Sequence, residues 1–355
     1  MKIANVGLVG CGRVGDHYVK ILKSKKIKNY KIKAVCDHDL KKAKLFSKYF
    51  KSNYFSDYKD KNFYKKINTV LILTPSGSHF EIAKFFLKKK IHVVCEKPLT
   101  MIPKNSILLD KLAKKNKVLC TVVFQNRFNK SIKYLKKNIE NKKFGKIVSV
   151  SLSLLWCRYQ KYYNDGWHGT WLNDGGVTNQ QAIHHLDIIR WIFGPITYVC
   201  SVSENRVNKL EAEDTMHAIF KFNSGCNGSI ELTTAARPND LHASISVVGD
   251  KGTIVISGLG LNKIQTLKLK INKKKISKLK KEFSEKVSSG YGNSHIFYLN
   301  EIFERIAKNR NLPLVSGVEA YETSKLIHAI YKSSENNRWI KVNNKNLSKK
   351  LGKNN

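Results

Sequence analysis

The run Gly10-Cys11-Gly12-Arg13-Val14-Gly15 has the residue types and spacing to hold a pyrophosphate. It closes a strand-like stretch and opens a helical one, the context in which Gly-x-Gly-x-x-Gly binds a dinucleotide. The first glycine permits a tight turn, the second lets backbone approach the phosphates, and the third allows close helix packing. The helix start, with Arg13 and Val14, offers unpaired N–H groups to the anion. Asp37 ends the next strand-like run, 22 residues after Gly15. A carboxylate there accepts hydrogen bonds from the ribose 2′-OH of NAD and repels the 2′-phosphate of NADP. NAD is therefore the expected cofactor and NADP the less favoured one, although Lys41 and Lys42 partly offset the repulsion.

Two further segments, Thr74-Pro75-Ser76-Gly77-Ser78-His79 and Glu96-Lys97-Pro98, each follow a strand-like run. Both fall at carboxyl ends of parallel strands, where such sheets bind ligands. Oxidising a secondary alcohol removes a hydride from carbon and a proton from oxygen, so a base must lie within hydrogen-bond reach of the hydroxyl. Lys97 is the candidate base. A lysine with the ordinary pKa of about 10.4 is a poor base at neutral pH, but partial burial and a nearby nicotinamide cation both favour its neutral form. Thr74, Pro75, His79, Glu96, Lys97 and Gln125 join the glycine loop and Asp37 as candidate cofactor contacts.

A second constellation runs from Asp174-Gly175-Gly176 through Asn179, Gln180, His184 and His185 to Asp187. Of the two histidines His184 is preferred, because it stands three residues before Asp187 on one helix face, where a carboxylate can fix the ring tautomer. A satisfied helix-face histidine is the alternative. Asn179 and Gln180 are candidate substrate ligands. Arg158 has the planar fork for a phosphate or carboxylate, with a surface ion pair as the alternative. Tyr163 and Trp167, with Tyr162 and Trp171, suit a stacking platform for a sugar or base, or else ordinary core packing. The histidines and carboxylates show no ligand spacing, so no metal is expected.

The elements that position these groups fall into two patterns. Up to about residue 127, apolar runs (Ile3–Gly10, Lys31–Asp37, Thr69–Thr74, His92–Cys95, Val118–Phe124) alternate with helical stretches (Val14–Lys23, Leu40–Phe50, His79–Lys90, Pro103–Lys115), which predicts a parallel sheet covered on both faces. From about Lys146, longer alternating runs predict one large, mostly antiparallel sheet: Ile147–Trp156, Tyr198–Arg206, Thr215–Phe222, Cys226–Thr234 and Ala243–Val248. Asn223-Ser224-Gly225 and Gly249-Asp250-Lys251-Gly252 supply hairpin chemistry. One helix, Asn179–Phe193, is stopped by Gly194-Pro195, and two more are expected near His295–Lys308 and Val318–Ser333. The lysine-rich stretch Lys263–Lys281 reads as solvent-facing edge strands. The expected fold class is α/β, with a dinucleotide-binding domain over residues 1–125, a second α/β domain over 126–343 and a frayed polar tail over 344–355.

At 355 residues, two domains are expected. No apolar run reaches bilayer length and no signal-peptide core opens the chain, so a cytoplasmic protein is expected, with its seven scattered cysteines reduced and buried. The net charge of +39 is the loudest compositional signal and admits nucleic acid, a membrane surface or an anionic small substrate as partner. Only nine of the 65 basic residues are arginine and the lysines occur everywhere, which describes a solvated surface better than a nucleic-acid site built on arginine forks. Neither a nucleic-acid nor a membrane partner is expected, and steering of an anionic substrate is the functional reading kept for this charge.

Taken together the glycine loop, Thr-Pro-x-x-x-His, Glu-Lys-Pro, the Gly-Gly…His-x-x-Asp helix and the late Val315-Ser316-Gly317-Val318-Glu319-Ala320 segment resemble the Gfo/Idh/MocA family of NAD(P)-dependent oxidoreductases over nearly the whole chain. The resemblance implies a Rossmann domain followed by an open-faced sheet domain, with Lys97 transferring the proton and His184 beside the substrate. The family often carries Asp where this chain has Gln180, which cannot exchange protons but can hold a hydroxyl. The Arg158–Trp171 segment resembles the branch acting on nucleotide-linked aminosugar acids. That implies a dehydrogenase for a nucleotide-linked N-acetylhexosamine or its uronate in surface polysaccharide biosynthesis. A glycosidase or epimerase that recycles its NAD internally is an alternative, and a non-enzymatic NAD-sensing or nucleic-acid-binding protein a third. An open sheet face also predicts a homodimer or homotetramer.

Overall fold

The apolar runs condense into two sheets in the computed structural model, which describes residues 3–287 and 290–353. The first sheet contains β1 (Ala4–Val9), β2 (Tyr30–Cys36), β3 (Asn53–Phe55), β4 (Thr69–Ile72), β5 (His92–Cys95) and β6 (Cys120–Val122). All are parallel, in the order β3-β2-β1-β4-β5-β6. The chain leaves β1 in one direction and returns on its other side at β4, which creates the switch point where doubly wound sheets take their ligands. Helices α1 (Arg13–Lys23), α2 (Leu40–Phe50), α3 (Lys61–Tyr64), α4 (His79–Lys88) and α5 (Pro103–Lys115) make the crossovers. Because helices shield both faces, β4 is buried at every residue and carries no alternation. β3 and α3 gave no sequence signal, since β3 is three residues long and exposes Asn53 and Tyr54.

The second sheet contains β7 (Ile147–Leu155), β8 (Ile196–Glu204), β9 (Thr215–Phe222), β10 (Asn227–Thr233), β11 (His242–Gly249), β12 (Gly252–Ser257), β13 (Lys263–Leu269) and β14 (Ile340–Lys341). Their order is β13-β12-β11-β7-β10-β9-β8-β14, antiparallel except for the β7–β10 pair. Register aligns Ala218, Ile230, Leu152, Ile245 and Ile256 in one buried row across five strands. On the opposite face Tyr198, Val202, Ile219 and Val248 are exposed. The remaining helices are α6 (Lys130–Glu140), α7 (Gln160–Tyr163), α8 (Ile183–Phe193), α9 (Lys273–Glu282), α10 (Ser294–Ala307) and α11 (Gly317–Asn336).

The chain forms two compact units, residues 1–123 with 295–324 and residues 124–294 with 325–355. Two sequence expectations need correction. The basic stretch 263–281 holds only one edge strand, β13, and then becomes α9, whose start is capped by the Asn272 side chain and which buries none of its residues. Lysine is a good helix former, so a helix with no core face still satisfies its own backbone. The tail is not frayed over 344–353: Ser348 donates to Glu335, the Gly352 N–H reaches the Trp171 carbonyl at 2.8 Å, and Leu351 is buried. Residues 354 and 355 lie outside the described residues. Cys11, Cys36, Cys95, Cys120 and Cys226 are buried and Cys157 and Cys200 part-exposed, all of them unbridged.

Candidate active site

In the first unit each glycine of the loop has its own reason. Gly10 takes φ +102°, and a Cβ there would stand 2.7 Å from the Leu73 carbonyl carbon of the strand-end backbone. A Cβ on Gly15 would meet the Phe46 ring of α2 at 2.8 Å, so this glycine brings α1 against its neighbour. A Cβ on Gly12 would meet nothing among the described residues within 4 Å. Its small size therefore answers no demand of the protein's own packing, and the space beside it suits a pyrophosphate at the start of α1. Asp37 backs the turn: its Oδ2 accepts the Cys11 N–H at 2.7 Å and its Oδ1 the Asp39 N–H at 2.9 Å. Each carboxylate oxygen can accept a second bond, which leaves room for a ribose diol. Replacing Asp37 by Ala removes that acceptor and loosens the turn, and at about 1.5–3 kcal/mol for a charged hydrogen bond NAD affinity should fall roughly 10–100-fold. Titration of pure protein with NAD measures this, and a dissociation constant within about twofold of wild type would remove Asp37 from the site.

The loops after β4 and β5 are tied together by His79. This residue, expected as a cofactor contact, is buried, with Nδ1 2.7 Å from the Pro98 carbonyl and Nε2 2.9 Å from the Thr74 carbonyl. Burial lowers its pKa against the pull of those carbonyls. Its ring thus braces the two loops that present Thr74, Pro75 and Lys97. Glu96 also turns inward: Oε1 accepts the Tyr18 hydroxyl at 2.6 Å and lies 3.6 Å from His295 Nε2, and Oε2 accepts the Lys97 N–H at 3.2 Å. Burial alone would raise its pKa, but His295, the Tyr18 hydroxyl and the charge of Lys97 bring it down to about 2. Lys97 itself is half-buried, its backbone fixed by the buried β5 strand before it and by Pro98 after it. Arg13 and Val14 open α1, with Arg13 exposed.

In the second unit, the helix expected over 179–193 begins instead as a wider turn. Val177–Gln181 is π-helical, with the Ala182 N–H bonded to the Val177 carbonyl at 2.9 Å, before α8 continues regularly to Gly194. Such π-turns recur at functional sites. Asn179 and Gln180 are buried here, and Asn179 Nδ2 donates to the Asp174 carbonyl at 2.6 Å. The two histidines part company. His185 is buried against Trp156, ring centroids 6.0 Å apart, and burial lowers its pKa to about 4. His184 remains partly exposed, edge-on to Phe124 at 5.8 Å. The Asp187 carboxylate, expected to orient His184, is held by Arg127 through Nε at 2.6 Å and Nη2 at 2.7 Å, and Arg190 adds a contact at 3.3 Å.

Several substrate candidates resolve toward structure. Arg158 pairs with Asp240 at 3.0 Å and lies over the Trp156 and Tyr162 rings. Tyr163 is buried and its hydroxyl bonds Thr234 Oγ1 at 2.8 Å, so it is a core residue and not an open stacking surface. Trp171 is likewise buried, edge-on to Tyr331. Trp167 is half-buried over His168, centroids 3.6 Å apart. Gln125 is buried, and its Oε1 finds no donor among the described residues, which suits a group that awaits a ligand. Sequence reasoning missed Glu213, Tyr331 and Arg127, which have no local motif and act only through residues far away in the chain.

A six-stranded parallel sheet with an open pyrophosphate turn and an acceptor carboxylate at the end of β2 defines an NAD-binding oxidoreductase. Residues 4–124 match the oxidoreductase-family NAD-binding Rossmann fold and residues 136–342 the oxidoreductase-family C-terminal α/β domain, so the chain belongs to the Gfo/Idh/MocA family. It is an NAD-dependent dehydrogenase. Among solved structures it is similar to the WlbA dehydrogenase of Bordetella pertussis in complex with NADH and UDP-GlcNAcA, with TM-score 0.88, 29% identity and coverage of 96% of this chain and 98% of that one. The Chromobacterium violaceum WlbA dehydrogenase, also in complex with NADH and UDP-GlcNAcA, gives TM-score 0.87, 27% identity and 97% coverage of both chains. Myo-inositol 2-dehydrogenase of Thermotoga maritima is 26% identical over 70% of this chain and 74% of its own length.

Proposed function

We propose that this dehydrogenase oxidises a secondary hydroxyl of a sugar, and that its substrate is a nucleotide-linked N-acetylhexosamine uronate used in surface polysaccharide biosynthesis. The observation that carries the substrate is the near full-length likeness to two dehydrogenases that hold UDP-GlcNAcA. NAD when bound supplies the hydride acceptor. Lys97 takes the hydroxyl proton, while His184 orients the reacting hydroxyl by hydrogen bonding. Gln180 and Asn179 hold neighbouring hydroxyls through hydrogen bonds, and Trp167 offers a face to the sugar or base. Thr74, Pro75, Gln125, Asp37 and the glycine turn hold the cofactor, with His79 and Glu96 bracing the loops. The net charge of +39 favours the approach of an anionic nucleotide sugar. Tyr198, Val202, Ile219 and Val248 on the uncovered sheet face support a homodimer or homotetramer, which light scattering of pure protein tests.

The likeness to a myo-inositol dehydrogenase favours a second reading, a free polyol or glycoside. One assay separates them: pure protein, NAD and a 2-oxo acid as recycling acceptor, offered UDP-GlcNAcA or myo-inositol in parallel, with product and reduced nicotinamide both followed. Turnover of UDP-GlcNAcA alone is the expected result. Turnover of myo-inositol alone replaces the nucleotide sugar, and product without any net redox change means an internally recycled cofactor.

A further inference from the structure

The π-turn that carries Asn179 and Gln180 starts without a cap of its own. Its first residue follows Gly176, which has no side chain to accept from the exposed N–H groups of the turn. Those groups must be satisfied from elsewhere, because the whole segment is buried. Glu213, in the loop before β9, reaches across and does this twice. Its carbonyl accepts the Val177 N–H at 3.0 Å and its carboxylate Oε1 the Thr178 N–H at 2.9 Å. Tyr331 on α11 completes the arrangement: its hydroxyl accepts the Gly176 N–H at 3.1 Å and donates to Glu213 Oε1 at 3.0 Å.

Steric fit shows that this contact is built in. A Cβ on Gly176 would stand 2.0 Å from the Glu213 carbonyl oxygen and 2.3 Å from Oε2, so only glycine lets Glu213 come this close. Glu213 and Tyr331 are both nearly inaccessible. Burial raises the Glu213 pKa to about 7, against the pull of its hydrogen bonds. No cationic partner meets this carboxyl among the described residues, so its hydrogen bonds to the turn and to Tyr331 are what offset the cost of burying it.

We infer that Glu213 is a positioning residue for the substrate side of the reaction: by capping the first turn of Val177–Gln181 it holds Asn179 and Gln180 where they meet the sugar. This rests on the reading of those two amides as substrate ligands. The cap acts on binding geometry and leaves the proton-transferring Lys97 untouched. Loss of the cap therefore raises KM for the sugar and spares kcat. Gln retains the accepting oxygen, so it substitutes for Glu, whereas Ala does not.

The test uses the full-length protein in three forms, E213A, E213Q and Y331F, with hydrogen–deuterium exchange and steady-state kinetics on each. E213A is expected to speed amide exchange across residues 176–182 by about tenfold or more, with the strands β7, β10 and β11 of the same unit unchanged. It should also raise sugar KM by about tenfold while kcat stays within about threefold. E213Q should restore both, and Y331F should give a smaller rise confined to the same segment. Unchanged exchange over 176–182, or acceleration spread over the whole unit, overturns the cap. Local exchange with KM unmoved leaves the cap standing and overturns Asn179 and Gln180 as substrate ligands. Should E213A not fold, E213Q without protection or Y331F without a local effect overturns the inference.

Discussion

Lys97→Ala should bind NAD within about threefold of wild type and lose roughly 10²–10⁴-fold in turnover of the sugar. The separation between those two numbers follows from how the residue is held. Val93, Val94 and Cys95 before it are fully buried in the sheet, the Glu96 carboxylate is fixed by Tyr18 and His295, and the Pro98 carbonyl after it is held by His79. Removing a half-buried side chain from a backbone clamped on both sides changes the chemistry and little else. Lys97→Arg separates charge from proton transfer, because a guanidinium keeps a positive charge but does not give up its proton at working pH. If the residue moves a proton, Arg should be nearly as inactive as Ala. Ala activity within about tenfold of wild type, measured at saturating NAD, would remove Lys97 as the base.

What could be read in the sequence was whatever depends on neighbours in the chain. Gly10, Gly12 and Gly15 sit in one strand–turn–helix unit whose spacing marks the turn, although the groups that crowd Gly10 and Gly15, the Leu73 backbone and the Phe46 ring, come from elsewhere in the chain. Alternation gave β7 to β11 for the same reason: burial on one face imposes period two on each strand separately. What could not be read was set by distant partners. Helix spacing placed Asp187 beside His184, but nothing local signalled the grip on it from Arg127, sixty residues earlier. Nothing near Glu213 announced that it would cap a turn 35 residues upstream. His79 and Tyr163 carry polar groups that suit a ligand equally well, and only the fold reveals that Pro98, Thr74 and Thr234 already occupy them.

Asp187→Ala is expected to destabilise the second unit by about 3–5 kcal/mol, a large part of the roughly 5–15 kcal/mol that holds a typical domain. Arg127 is 4% exposed and Asp187 wholly buried, so the pair exchanges no solvent for its two short hydrogen bonds. The guanidinium is further enclosed by Trp191, 4.8 Å from its ring centroid, and Phe124 at 5.9 Å. Loss of the carboxylate takes two short charged hydrogen bonds from that buried cation, and Arg190, the second guanidinium at Asp187, loses a contact too. The measurement is unusually clean, because all five tryptophans, Trp156, Trp167, Trp171, Trp191 and Trp339, belong to the second unit. Tryptophan fluorescence during urea unfolding therefore follows that unit alone, even where the whole chain does not unfold in one step. A double replacement of Arg127 and Asp187 by Met removes both charges and should recover much of the loss, since a buried ion pair often contributes little beyond what apolar packing supplies. A shift below about 1 kcal/mol for Asp187→Ala would mean that water reaches the guanidinium and that the pair is not the internal tie that fixes α8, and with it His184, against the start of the second unit.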